Sequence, residues 1–283
     1  MKKILVPTDF TPTAENAIET ARLLAKKNGA EIIFLNVIEI NSGESLNTTG
    51  GASSGASFGD GIIIQESIKR SEQEMMRLVD VSKFQGIKAS YEIKLGNPFR
   101  HIFSAVEDHS IDFIVMGTKG ASGLSEIIIG SNTEKVVRKA KCPVLSIKEP
   151  LNENTFKDIV YATNFGDNEG DVVSAIKDIQ ADFNGNIHLV WINTPNDFKS
   201  DATTRPLLDK FAKDNGLKNC TTHVYSDIIA EDGIRNFAAY IDAGLIVMGT
   251  NSYTGLSRLI RGSVAEDMIN HATRPVLTVS MKE

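Results

Sequence analysis

Cysteine is nearly absent from this chain: Cys142 and Cys220 stand alone among 283 residues. Two isolated thiols make neither a disulfide framework nor a metal knuckle, and they suit a reducing cytoplasm, the expected location. A basic excess is also missing. Thirty Lys and Arg against 36 Asp and Glu leave a net charge of -6. No basic stripe meets a phosphate backbone, so nucleic acid is not expected as a partner. No apolar run approaches the roughly 20 residues that cross a bilayer, and no membrane partner is expected. The chain opens on a strand pattern, Met1-Lys2-Lys3-Ile4-Leu5-Val6, so no leader is expected. There is no Walker A run and no His-Glu-x-x-His pair, so ordinary P-loop hydrolysis and zincin chemistry are not expected. What remains, 41% apolar and 23% charged, is an ordinary globular composition with enough length for two full cores.

The chain repeats itself. Residues 114–147 align without a gap on 246–279, and 16 of the 34 positions are identical. Among them are Ile114-Val115-Met116-Gly117-Thr118 against Ile246-Val247-Met248-Gly249-Thr250, and Pro143-Val144-Leu145 against Pro275-Val276-Leu277. A weaker match joins Lys3–Phe10 to Asp158–Phe165, at an offset of 155 rather than 132. The first copy therefore holds 23 extra residues between these anchors. The Gly/Ser/Thr stretch 41–61 is the candidate, since it cannot bury enough apolar surface to order itself. It reads as a surface loop or as a lid over a ligand. Each copy has the size of a domain, 1–149 and 150–283, with a short linker at 149–156.

Within each copy short β-rich runs alternate with helical patterns. Strands are expected at 2–6, 31–37, 89–94, 112–116 and 143–147, and at 157–162, 186–192, 220–226, 243–248 and 275–280. Runs such as Phe113-Ile114-Val115-Met116 are apolar without alternation, the mark of strands covered on both faces in a parallel sheet. Thr11-Pro12 reads as a cap and first helical residue, with Ala14, Ala17, Ile18, Ala21, Leu24 and Ala25 on one face behind it. Val172, Ile176, Ile179 and Phe183 repeat that face in the second copy. The fold class is α/β, two tandem doubly wound domains.

In such a sheet ligands sit at the carboxyl ends of the strands where strand order reverses. Two segments of the first copy reach that place, Pro7-Thr8-Asp9-Phe10 and the run that begins Gly117-Thr118-Lys119-Gly120 and closes nine residues later at Gly130-Ser131. Gly117 and Gly120 let backbone approach a ligand and take positive φ if needed. Gly130-Ser131 opens a helix whose unpaired N–H groups, at Asn132 and Thr133, suit phosphate oxygens. Lys119 adds a positive charge or is simply solvated. Ser131 with Glu134, and Ser263 with Glu266, also read as capping boxes; the two roles are compatible. His188 and His223 fall on neighbouring strands, close enough to share a metal, but no third ligand is evident.

These residues resemble the universal stress protein family, whose ATP-binding members carry Gly, two residues, Gly, nine residues, Gly, then Ser or Thr. The likeness extends to Pro7-Thr8-Asp9, Asn36-Val37 and Pro143-Val144-Leu145-Ser146-Ile147, and over both copies. It implies five parallel strands per domain in the order 3-2-1-4-5. It also implies Asp9 at the adenine beside Val37, Met116 and Gly117 near the ribose, and Gly120, Gly130, Ser131, Asn132 and Thr133 on the phosphates. The cofactor would be ATP, ADP or AMP, with Mg²⁺ where triphosphate binds. The last strands, 143–147 and 275–280, would pair within the chain to give a pseudo-dimer, and a further homodimer stays open.

The second copy departs from that pattern. Asn164 replaces Asp9, Ala162 replaces Pro7, Ser252 replaces Gly120 and is followed by Tyr253, and Trp191 stands in place of Asn36. Gly249, Gly262 and Ser263 persist. A degenerate second site is expected, beside a binding protein of stress response with nucleotide in the first copy. A protein-interaction scaffold and a slow ATPase remain the alternatives.

Overall fold

The structure, a computed structural model, describes residues 1–39, 58–118, 131–165, 169–251, 265 and 268–281. The first half runs β1 (Lys3–Pro7), α1 (Pro12–Asn28), β2 (Glu31–Ile38), α2 (Phe58–Phe84), β3 (Ala89–Leu95), α3 (Pro98–Asp108), β4 (Phe113–Gly117), α4 (Ser131–Lys139) and β5 (Val144–Ile147). The second runs β6 (Asp158–Ala162), α5 (Gly170–Phe183), β7 (Asn186–Asn193), α6 (Asp201–Asp214), β8 (Cys220–Ser226), α7 (Ala230–Tyr240), β9 (Leu245–Asn251) and β10 (Val276–Met281), with helix again at 268–271.

The ten strands form one sheet in the order β3-β2-β1-β4-β5-β10-β9-β6-β7-β8. Each half keeps the expected order 3-2-1-4-5 with parallel pairing throughout. The halves do not form two separate sheets. They fuse where β5 meets β10 antiparallel, with Leu145 opposite Leu277, Ser146 opposite Val276 and Val144 opposite Thr278. The inner strands are buried, as at Ile4-Leu5-Val6 and Leu245-Ile246-Val247, because helices cover both faces, while the edge strands β3 and β8 are only partly buried. One core lies under α1, α2, α5 and α6, the other under α3, α4, α7 and residues 265–272, and both run unbroken across the join.

Local chemistry explains the helices. Thr11 caps α1, its hydroxyl accepting from Ala14 N at 3.3 Å, with Pro12 at the first helical position. Gly29 closes the helix in the left-handed region at φ 73°. Ala17, Ile18, Ala21 and Leu24 form its buried face. In α5, Val172, Ile176 and Ile179 do the same, and Phe183 stacks on Phe156 with centroids 4.1 Å apart.

The extra residues of the first copy lie in the β2–β3 crossover, though not wholly in the stretch 41–61. Residues 58–61 already belong to α2, which has 27 residues against 14 in α6, so 13 of the extra residues are helix. Composition over a window hides this, because the apolar run Ile62-Ile63-Ile64 draws the preceding turn into the helix. Residues 40–57 lie outside the described residues. No helix among the described residues is long and apolar enough to cross a membrane.

Further bonds tie the halves together. The N-terminal ammonium meets Asp178 at 3.1 Å, Asn28 donates to Asp182 at 3.0 Å, and Lys148 Nζ donates to the carbonyls of Asn270 and Ala272 at 3.0 and 2.7 Å. Leu145 and Leu277 are both fully buried. Leu145→Ala and Leu277→Ala are each expected to cost about 2–5 kcal/mol. In a double-mutant cycle by urea denaturation they should couple by at least about 0.5 kcal/mol. Strict additivity would mean that the join contributes no side-chain energy.

Candidate functional site

At the carboxyl ends of β1, β2 and β4, where strand order reverses, a cleft of about 240 Å³ opens. Eight of the expected residues line it: Pro7, Thr8, Asp9, Val37, Met116, Gly117, Asn132 and Thr133. The β1–α1 loop is built for this place. Thr8 N donates to Leu35 O at 2.8 Å, and Phe10 takes φ 61° while its N–H donates to the Thr8 hydroxyl at 3.1 Å. Asp9 closes an Asx turn, Oδ1 accepting from Thr11 N at 3.1 Å and from Thr11 Oγ1 at 2.6 Å. Buried Asn36 donates to Thr8 O at 2.8 Å, which ties β2 to the loop. On the far wall Thr133 Oγ1 donates to Gly117 O at 3.2 Å, fixing the start of α4 against β4.

Glycine is required at 117 for a reason other than the expected one. Its φ is not positive; a β-carbon there would lie 2.6 Å from the Thr13 carbonyl oxygen, so β4 and α1 can meet only at a glycine. Lys119, Gly120 and Gly130 lie outside the described residues; Ser131 begins α4, as expected. Sequence reasoning missed Leu35, Glu39, Pro98 and Ile102, which supply apolar walls and an acidic rim. The period-2 alternation of β2 could have found Leu35 and Glu39, on the same face as Val37.

The second half holds a cleft at the equivalent place, of about 690 Å³. Asn164 and Gly249 line it; Ser252, Gly262 and Ser263 lie outside the described residues. Trp191, at the place of Asn36, is stacked on Phe165 (5.0 Å, 13°), and Lys199 Nζ lies 3.8 Å from its ring centre. Glu169, where the first half has Ala14, is a buried carboxylate that accepts from Tyr161 and from Thr163. Burial and this carboxylate push the Tyr161 phenol far up. Gly249 packs under Met281, whose sulfur is 2.7 Å from where a β-carbon would stand.

The paired histidines are adjacent, as expected. His188 Nδ1 lies 3.3 Å from His223 Nε2, and His188 Nε2 is 3.0 Å from Asp158. No group of three His, Cys, Asp or Glu among the described residues is arranged for a metal. The pair forms a hydrogen-bonded chain that ends on Asp158, whose pKa is lowered chiefly by His188. The thiols are quiet: burial pushes Cys142 up to about 12 and raises Cys220.

A family model described as universal stress protein family matches residues 1–148 and again 155–280. Two universal stress proteins of Methanocaldococcus jannaschii are similar: MJ0531 is 33% identical over 153 residues, covering 54% of this chain and 85% of its own length. MJ0577 is 34% identical over 157 residues, covering 52% and 94%. A universal stress protein structure from Archaeoglobus fulgidus superposes over 98% of both chains with a TM-score of 0.74 at 23% identity. One from Pseudomonas aeruginosa covers 99% of this chain and 94% of its own at 0.70 and 18%. At these identities the two structures speak for the fold alone, over the whole of this tandem chain.

Two outcomes follow from this geometry. Gly117→Ala is expected to cost about 1–3 kcal/mol in denaturant unfolding through the clash with Thr13; an unchanged midpoint would contradict the close approach. His223 has its pKa lowered, first by burial and then by His188 and Arg205. Below pH about 6.5 the unfolded chain therefore takes up a proton that the folded chain resists, and stability falls as pH drops. His223→Gln should flatten the fall in Tm between pH 7 and 5; an unaltered slope would assign that fall to other groups.

Proposed function

The chain belongs to the universal stress protein family, and from that premise we propose that it binds an adenine nucleotide in its first half and acts as a nucleotide-responsive regulator. The observation that carries this reading is the convergence of the β1–α1 loop and the start of α4 on one cleft at the switch point. The residues suit the ligand. Leu35, Val37, Ile102 and Met116 offer flat apolar walls for a base. Asp9, whose Oδ1 is engaged by Thr11, is exposed at the rim to accept from an exocyclic amine. The first N–H groups of α4, at Asn132 and Thr133, favour phosphate by hydrogen bonding and by the helix dipole.

A volume of about 240 Å³ is below the 300–1,000 Å³ usual for whole ligands. On this reading it takes the nucleoside and leaves the phosphates outside; Lys119, Gly120 and Gly130, which complete the sequence motif, lie outside the described residues. ATP, ADP and AMP share that nucleoside, and Mg²⁺ would accompany a triphosphate. Binding is the function on this reading. Asp9 stands at the base end, and none of the other described lining residues except Glu39 is an acid or base that could take a proton from water. Residues 1–149 are then the nucleotide domain, and 150–283 a partner domain whose own nucleotide motif has decayed.

Calorimetric titration of nucleotide-stripped protein with ATP and Mg²⁺ tests this. One nucleotide per chain is expected, with affinity reduced at least about tenfold, or 1.4 kcal/mol, in Asp9→Ala, lost in Gly130→Val and unchanged in Asn164→Ala. Absence of binding to the intact protein would refute the reading. A stoichiometry of two would refute the decay of the second motif.

A further inference from the structure

We propose that the cleft of the second half is a ligand site of changed chemistry: it takes an apolar, uncharged or cationic small molecule with a hydrogen-bond-donating end, and not a nucleotide. This goes beyond the nucleotide reading of the first cleft and does not depend on it.

The space itself is the first observation. About 690 Å³ lies within the ordinary range for a small-molecule pocket, against about 240 Å³ in the first half.

The second observation concerns the two helix starts that face the cleft. In the first half both are capped by side chains: Thr11 for α1, and Asn97 for α3, whose Oδ1 accepts from Arg100 N at 3.1 Å. In the second half Glu169 and Ile229 occupy the cap positions of α5 and α7, and neither makes a side-chain cap bond. At α7 the polar cap has given way to Ile228 and Ile229, which line the mouth while 77% and 54% exposed. Isoleucine is a poor cap, and exposed aliphatic surface brings no local stability. Local rules broken without local gain point to function.

Charge supplies the third. The charged side chains that line this cleft among the described residues are Glu169 and Asp197, both acidic. Glu169 is 5% exposed and stands at the first turn of α5, so the protein's own carboxylate occupies the place where a helix start would otherwise attract an anion. Gly249, the counterpart of Gly117, packs under Met281, so a thioether stands where the first half has Thr13 backbone. The phosphates of a nucleotide meet repulsion from these two carboxylates. An apolar body meets Ile192, Ile234, Met248 and Met281, and its donor end meets the exposed Asp197 carboxylate at the rim.

Trp191 is the chain's single tryptophan and lines this cleft, so its emission reports on the site without labelling. The full-length protein is titrated with N-phenyl-1-naphthylamine, an apolar secondary amine whose own emission rises in apolar surroundings. Saturable quenching of Trp191 with a matching rise of the probe, near one per chain, is expected. Ile229→Asn restores the cap residue found at Asn97; it should keep or raise Tm and weaken the probe at least tenfold. Ile228→Lys, at an exposed position that cannot disturb the core, should weaken it likewise should the first variant misfold. Asp9→Ala should leave the probe untouched, which separates this site from the first cleft. Absence of saturable Trp191 quenching, probe binding unchanged in both mouth variants, or displacement of the probe by ATP in the Asp9→Ala protein would each overturn the proposal.

Discussion

The antiparallel pairing of β5 with β10 is the constraint on which the rest of the molecule depends. Each half is an open parallel sheet whose last strand would otherwise present a row of unpaired N–H and C=O groups. Joining the two edges satisfies both rows at once, with Leu145 facing Leu277 in register. Because the partners run antiparallel while every other pair is parallel, the strand ends of one half point opposite to those of the other. The two clefts, each at its own strands' carboxyl ends, therefore open at opposite ends of one sheet. Neither ligand can touch the other, and any coupling between the sites must pass through β5, β10 and the cores that cross them.

The second half keeps the frame of the first while its cleft differs. The fold elements are kept: Phe10 and Phe165 share a positive φ, 61° and 56°, and both anchor the same turn through a threonine hydroxyl. Residues around the clefts change instead: Ala14, which lines the first, becomes Glu169, and buried Asn36, which ties β2 to the loop, becomes Trp191, which lines the second. Scaffold positions are held by packing that tolerates little, whereas loop-end side chains answer only to the ligand.

Much of this was legible in the sequence, and the physical reason is consistency between levels. The ungapped repeat at 114–147 and 246–279 declares the duplication, and continuous apolar runs declare parallel strands, because nothing else buries both faces of a short segment. Thr11-Pro12 announces α1. The candidate cleft was legible where its residues sit at the ends of recognisable elements, as Asp9 does after β1 and Thr133 at the start of α4, both of which line it. It was not legible where residues distant in sequence converge, as Pro98 and Ile102 do on Leu35 and Val37, since spacing along the chain carries no record of which helix start leans over which strand. Nor could spacing tell why Gly117 is glycine: motif reading offers conformational freedom and ligand approach, while the structure shows Thr13 backbone in the way. The stretch 41–61 misled in its last four residues because composition is averaged over a window and helix boundaries are not.

The same contrast decides how Glu169 should be understood. A buried carboxylate is expensive unless its oxygens are bonded, and it persists only where the surroundings are built for it. Here they are: Tyr161 and Thr163 donate to it, and Tyr161 is itself fully buried in the core. Val6, the counterpart of Tyr161, has no hydroxyl, and Ala14, the counterpart of Glu169, has no charge. The tyrosine therefore has meaning only with the glutamate, since without it the buried Tyr161 hydroxyl would lose its acceptor. Two matched changes on different elements, one in the core and one on the wall of the larger cleft, are hard to reach by decay, which strips partners away singly. They fit a cleft rebuilt around a carboxylate, on a scaffold whose stability the β5–β10 join had already secured.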